Sequence, residues 1–331
     1  MTALFEVRNL HVWLKTFEGE LNVLNGVNMA IDAGEKVGLV GETGCGKSLL
    51  VKSILEVLPS TARIASGEIL FQGKNILTMD AHDRQRLRRE GISAIFQDPL
   101  AALNPVFTVG HQLGEVIKSS SRSPEGKRLS KKEIRARSIA VLGETGLPDP
   151  ERILNSYPVQ LSGGMRQRIC ISEALSVGAK LLLADEPTTN LDVTVQYQIL
   201  RLLDQLVEKK KTSILLISHS LGVVRNFTER VYIMYAGNIV EEAKVENLFS
   251  DPLHPYTQGL LESVPKLTGE EMNDGIQGTI PDYRQPPQGC RFHPRCEHAM
   301  PICQQDKPPF YTRGDDGDHE VACFLYRRES T

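Results

Sequence analysis

Gly41-Glu42-Thr43-Gly44-Cys45-Gly46-Lys47-Ser48 fits the pattern G-x-x-x-x-G-K-[ST] at every position. Glycines in such a run let backbone N–H groups curl around phosphate oxygens. A helix starting at Lys47 and running on through Leu49 adds partial positive charge, the Lys47 ammonium reaches β and γ phosphates, and the Ser48 hydroxyl suits Mg²⁺. Further on, the apolar run Leu181 to Ala184 ends in Asp185 and Glu186. Asp185 would complete a Mg²⁺ shell through water, and Glu186 is placed to act as general base on an attacking water. Adjacent acids at a strand end are usually only solvated; the phosphate loop upstream gives this pair its meaning. Gln97 closes the apolar run Ile92 to Phe96, and His219 closes Ser213 to Ser218. Alone, each reads as an exposed strand end or a structural histidine. Taken jointly, Gln97 is a Mg²⁺ ligand that senses the following segment, and His219 a partner of the γ-phosphate and the water.

The cysteines form a second constellation. Cys45 and Cys170 stand alone, whereas Cys290, Cys296, Cys303 and Cys323 crowd the end of the chain. In a chain without a secretory signal, such crowding reads as a metal or cluster site before it reads as disulfides. Four thiolates can hold an iron–sulfur cluster or a structural zinc, and the spacing lacks the paired C-x2-C of zinc ribbons. The nearby His293, His298 and His319 read as structural or exposed.

The elements that must position these groups follow from hydrophobic patterning. Glu35 to Val40 is a short apolar run ending in glycine, and Lys47 to Leu58 carries apolar residues at 50, 54, 57 and 58, giving strand, glycine turn and amphipathic helix. Lys180 to Ala184 and Ser213 to Ser218 are buried-strand candidates whose unusual residues gather at their carboxyl ends, where open α/β sheets bind ligands. Asp98 to Gln160 lacks such strands and carries helical stretches such as Lys131 to Gly146; its basic run Lys127 to Arg137 reads as a solvated helix face. Beyond about Val240 the chain turns proline-rich and leads into the Cys-rich tail. The 331 residues accommodate one large domain plus an appendage, and 38 basic against 41 acidic residues, a net charge of -3, give no electrostatic case for nucleic acid. No apolar run approaches the roughly 18 to 20 residues of a membrane-spanning helix. The expectation is a cytosolic chain with a peripheral membrane role.

Leu161-Ser162-Gly163-Gly164-Met165-Arg166-Gln167-Arg168 resembles the signature of ABC ATPases. In order with the phosphate loop, Gln97, Asp185-Glu186 and His219, the resemblance covers about residues 5 to 245. It implies ATP and Mg²⁺ as cofactors and a head-to-tail pair in which Ser162, Gly163 and Gly164 face the γ-phosphate on the partner's phosphate loop. A Ser-Gly-Gly turn entering a helix offers a hydroxyl, N–H groups and a dipole to an anion, and is an N-cap as well. Leu191-Asp192 resembles the loop that couples the paired sites, and an aromatic residue before the phosphate loop stacks on adenine; Phe17 is the first choice and Trp13 the alternative. The fold implied is a P-loop α/β core with a helical insert at about 98–165, an antiparallel β region at the N-terminus and a small C-terminal Cys-rich appendage, divided as 1–250 and 251–331.

Phe96-Gln97-Asp98-Pro99-Leu100 running to Gly110, Asp192-Val193-Thr194-Val195-Gln196, and His254-Pro255-Tyr256-Thr257 look like ATPase subunits of oligopeptide and dipeptide importers. The tail Cys290-x5-Cys296-x6-Cys303-x19-Cys323 is similar to that subfamily's C-terminal motif, which is associated with a [4Fe-4S] centre; zinc remains the alternative. The implied partners are a second, paralogous ATPase, two transmembrane permease subunits and an external solute-binding protein, at the cytoplasmic face of the membrane. Ser220, Asn190 and Val159 depart from the usual pattern and bear on coupling and rate. Rival readings are an importer of a metal chelate or oligosaccharide, a soluble ABC ATPase acting on ribosomes or DNA, and a subunit that senses ATP without cleaving it.

Overall fold

The structure, a computed structural model, describes residues 3–120, 128–189, 191–263, 275–313 and 317–327. Asn190 lies outside the described residues. Contacts divide the chain into one unit of residues 1–31, 36–77 and 216–331, and a second of residues 32–35 and 78–215.

In the first unit, alternating sequences build an antiparallel sheet in the order Gly19–Ile31, Phe5–Thr16, Ala62–Phe71, Lys74–Asn75. Phe5, Val7, Leu10 and Val12 are buried along the second of these strands. The strand Lys36–Val40 runs parallel to Arg230–Tyr235, which turns back antiparallel into Asn238–Lys244. Two short strands from the end of the chain, His319–Val321 and Tyr311–Arg313, extend this sheet antiparallel. Parallel and antiparallel pairings therefore share one sheet in an α/β protein. A core of Val40, Val231, Ile233, Tyr235, Tyr256 and Phe292 closes its flank.

The helix after the glycine turn spans Lys47–Ile54, shorter than the expected Lys47 to Leu58. Glu56 adopts φ 54, and its N–H bonds Ser53 O while Val57 N–H bonds Lys52 O. This left-handed stop satisfies the last carbonyls without glycine.

In the second unit, Ile92–Ile95 pairs parallel with Leu181–Asp185. The helices Val109–Ser120, Lys131–Glu144, Pro150–Asn155 and Gly163–Ser176 follow between them in sequence. They bury Val109, Leu113, Ile117, Leu142, Ile153, Leu154 and Ile169 in a separate core. Ser130 caps Lys131–Glu144 in a reciprocal box with Glu133. The strand Ser213–Ser218, read at these bounds from the sequence, leads from the second unit into the first. Among the described residues no helix is long and apolar enough to cross a membrane.

Candidate nucleotide site

The phosphate loop joins the strand Lys36–Val40 to the helix Lys47–Ile54. Its glycines are required by geometry. A Cβ on Gly41 would lie 2.2 Å from the Met234 carbonyl oxygen, and Gly44 and Gly46 take φ +86 and +112. Lys47 is 5 % exposed and its ammonium donates to the carbonyls of Gly41 at 2.6 Å and Glu42 at 3.0 Å. Cys45 is fully buried beneath the loop; burial pushes its thiol pKa up, against the pull of the Lys47 ammonium. Thr43, Gly44 and Ser48 are exposed, and Leu49 lies half-buried in the first helical turn. His219 follows the strand Ser213–Ser218 and is exposed. Phe17 sits fully exposed at the tip of the hairpin between Phe5–Thr16 and Gly19–Ile31, while Trp13 lies in the sheet with the Arg63 guanidinium 5.9 Å from its ring.

In the second unit, Gln97 and Glu186, 89 residues apart in sequence, come together. Gln97 Nε2 donates to Glu186 Oε2 at 3.1 Å, and the Thr189 hydroxyl donates to the same oxygen at 3.0 Å. Glu186 has φ 46, an unusual left-handed conformation for a residue with a side chain. Asp185, 6 % exposed, is the last residue of its strand. Thr189 carries no sequence signal of this role, because a threonine in a Thr-Thr-Asn run reads as an ordinary turn residue.

Ser162 is exposed and caps Gly163–Ser176, its hydroxyl accepting from Met165 N–H at 3.3 Å. Asp192 caps Val193–Lys210 in the same way, accepting from Val195 N–H at 2.9 Å. The two helix starts lie against each other, since a Cβ on Gly163 would come within 3.5 Å of Leu191 and one on Gly164 within 3.0 Å of Val195. The structure thus brings together Gln97 with Glu186, and the signature turn with the Leu191-Asp192 turn.

The expected [4Fe-4S] centre is corrected. Cys290, Cys296, Cys303 and Cys323 all line one cavity of about 10 Å³, roughly the space of a single water. Among the described residues the only group of three His, Cys, Asp or Glu ligand atoms within 4.8 Å of one another is that of the surface residues Asp80, His82 and Asp83, and the four thiols form no such group. Burial is the main cause that pushes the Cys290 thiol pKa up to about 11, that of Cys323 up to about 12 and that of Cys296 upward as well. They pack as small apolar side chains beside Phe292 and Phe324.

Residues 24–189 match the family described as ABC transporter, and residues 240–303 match the oligopeptide/dipeptide transporter C-terminal region. The chain is 43% identical over 331 residues to the oligopeptide transport ATP-binding protein AppD of Bacillus subtilis, covering 99% of this chain and 98% of that protein. It is 42% identical over 307 residues to the oligopeptide transport ATP-binding protein OppD of Escherichia coli, covering 92% and 89%. Among solved structures, a dimeric post-hydrolysis ATP-binding cassette bound to ADP and Pi superposes with TM-score 0.64 at 28% identity, covering 73% of this chain and 98% of that one. These descriptions speak of ATP binding and transport, and none names an iron–sulfur centre.

Proposed function

This chain belongs to the ATP-binding proteins of ABC transporters, in their oligopeptide and dipeptide transport group, and from that membership we propose that it drives import of peptides by closing head-to-tail on a second ATPase subunit. It is an ABC-type ATPase whose hydrolysis is coupled to transport. The observation that carries the catalytic part of the reading is the pair of hydrogen bonds on Glu186. A carboxylate just past a strand end, oriented through Oε2 by the Gln97 amide and the Thr189 hydroxyl, is positioned to take a proton from water.

In this reading the backbone of Gly41 to Ser48 and the Lys47 ammonium bind the β and γ phosphates, with Leu49 continuing the helix behind them, and Phe17 stacks on adenine. The Ser48 hydroxyl, the Gln97 amide oxygen and the Asp185 carboxylate are hard oxygen donors of the kind Mg²⁺ prefers. Mg²⁺, when bound, neutralises charge on the phosphates. Glu186 takes a proton from the attacking water, His219 holds the γ-phosphate and that water in line, and charge stabilisation carries most of the acceleration. Ser162, Gly163, Gly164 and Asp192 serve the partner's site, and exposed Val193 and Tyr197 beside Asp192 offer apolar area for such a contact.

The working assembly is this subunit, a paralogous ATPase, two permease subunits and an external solute-binding protein, with this chain peripheral at the cytoplasmic face. Residues 1–250 form the ATPase domain with a helical subdomain at about 98–165, and 251–331 form the C-terminal region. The match of 240–303 to the oligopeptide/dipeptide C-terminal family favours peptides over metal chelates or oligosaccharides as the solute.

Glu186→Gln keeps the hydrogen bonds and removes the base. In the assembled transporter it is expected to bind ATP with wild-type affinity and lose at least 100-fold in turnover. Steady-state hydrolysis within threefold of wild type would remove Glu186 as the base.

A further inference from the structure

Three side chains from residues 256 to 295 bond the phosphate loop from outside it. Arg295 donates from Nη1 to Glu42 Oε2 at 2.8 Å and from Nη2 to Glu42 Oε1 at 3.1 Å, a bidentate pair. The Tyr256 hydroxyl accepts from the Glu42 N–H at 2.9 Å, and the Tyr283 hydroxyl donates to the Gly44 carbonyl at 2.8 Å. All three lie within the residues matching the oligopeptide/dipeptide C-terminal region.

The arm that makes these bonds is stiff. Arg295 has a side chain only 7 % exposed, and its other N–H groups go to Gln277 O at 2.8 Å, Ile276 O at 3.1 Å and the Tyr235 hydroxyl at 3.4 Å. Every donor of the guanidinium fork is therefore used. Tyr256 is fully buried, with Tyr235 and Phe292 against its ring. The loop it grips is the opposite. With glycines at 41, 44 and 46, the free backbone has many conformations, of which few converge N–H groups on a phosphate. A ligand that needs one of them binds more weakly in proportion to the fraction of chains that hold it.

We propose that Arg295, Tyr256 and Tyr283 form a clamp that holds Gly41 to Ser48 in its phosphate-binding conformation, so that the C-terminal region sets the ATP affinity of this subunit. The proposal rests on the reading of Gly41 to Ser48 as the ATP site. These are positioning residues: they touch the loop, and the loop touches the nucleotide. Because saturating ATP selects the competent loop by itself, loss of the clamp acts on KM and spares kcat.

The test uses the full chain in the assembled transporter and follows ATP hydrolysis against ATP concentration. Arg295→Ala is expected to raise KM for ATP about tenfold with kcat within twofold. Arg295→Lys, which keeps the charge but loses the fork, recovers part of that shift. Adding Glu42→Gln to Arg295→Ala changes KM less than the two single effects combined. An unchanged KM in Arg295→Ala, a shift that lysine does not relieve, or full additivity would each overturn the clamp. If Arg295→Ala does not fold, Tyr283→Phe removes one hydroxyl and keeps the ring; it is expected to raise KM two- to threefold, and an unchanged KM again overturns the proposal. Lys47→Ala is measured alongside: if wild-type protein binds ATP no better than that variant, the site reading itself fails and takes the clamp with it.

Discussion

Gly41 shows how much a single atom matters in this loop. The nearest neighbour to a Cβ there is a backbone oxygen, Met234 O at 2.2 Å, which cannot swing away as a side chain would. Gly41→Ala must therefore move either the loop or the strand Arg230–Tyr235. The expected result is a loss of about 1–3 kcal/mol in stability together with at least a tenfold loss in ATP affinity, read by unfolding midpoint and by nucleotide titration. Wild-type values for both would show that the loop tolerates the methyl group. At this scale the motif residues were legible because each carries a fixed chemical task. Thr189 and Arg295 were not, since Thr189 reads as one more turn residue and Arg295 is 253 positions from the Glu42 it pairs with.

The helix Pro255–Glu262 begins on an unusual cap, the ring of His254, whose Nδ1 accepts from Tyr256 N–H at 3.0 Å. To accept there, the ring must be neutral. Burial drives its pKa from the usual 6.5 down to about 4, against a smaller upward pull from Glu241. The folded ring therefore resists a proton that the unfolded ring takes up near 6.5. Stability is level above pH 6.5, falls as pH drops through the window from 6.5 to 4, and levels below it, for a total of about 3 kcal/mol. Denaturant unfolding at pH 7.5 and 4.5 measures this difference, and His254→Asn, which keeps a capping acceptor, is expected to shrink it. An equal difference in both proteins would locate the titration elsewhere. Elements with strong patterns, such as Ser213–Ser218 and the capped Lys131–Glu144, were legible in the sequence. His319–Val321 was not: a three-residue strand with one apolar side chain has no periodicity to read, and only its pairing with Asn238–Lys244 defines it.

For the molecule as a whole, the end of the chain is part of the sheet rather than an addition to it. Glu241 is fully buried, and its carboxylate accepts from Leu253 N–H at 2.8 Å, His254 N–H at 2.9 Å and His319 Nε2 at 2.7 Å. Removing residues 304–331 would strip the third partner and leave Asn238–Lys244 as a bare edge, a template for pairing between molecules. The truncated chain is expected to lose about 1–3 kcal/mol and to elute partly as aggregate in size-exclusion chromatography. A monodisperse product with an unchanged midpoint would show that the two short strands are dispensable.

The bonds between Arg295 and Glu42 also order events in time. A ribosome works from the amino end at about 5–20 residues per second, so Gly41 to Ser48 emerges long before Arg295 exists. Until the chain is made past Arg295 the nucleotide loop lacks its full clamp, and until His319–Val321 is made the sheet edge has no cover; contacts so distant in sequence are the slow ones to form. A chain abandoned part-way would carry a complete phosphate-binding motif without the bonds from Arg295, Tyr256 and Tyr283 that hold its loop.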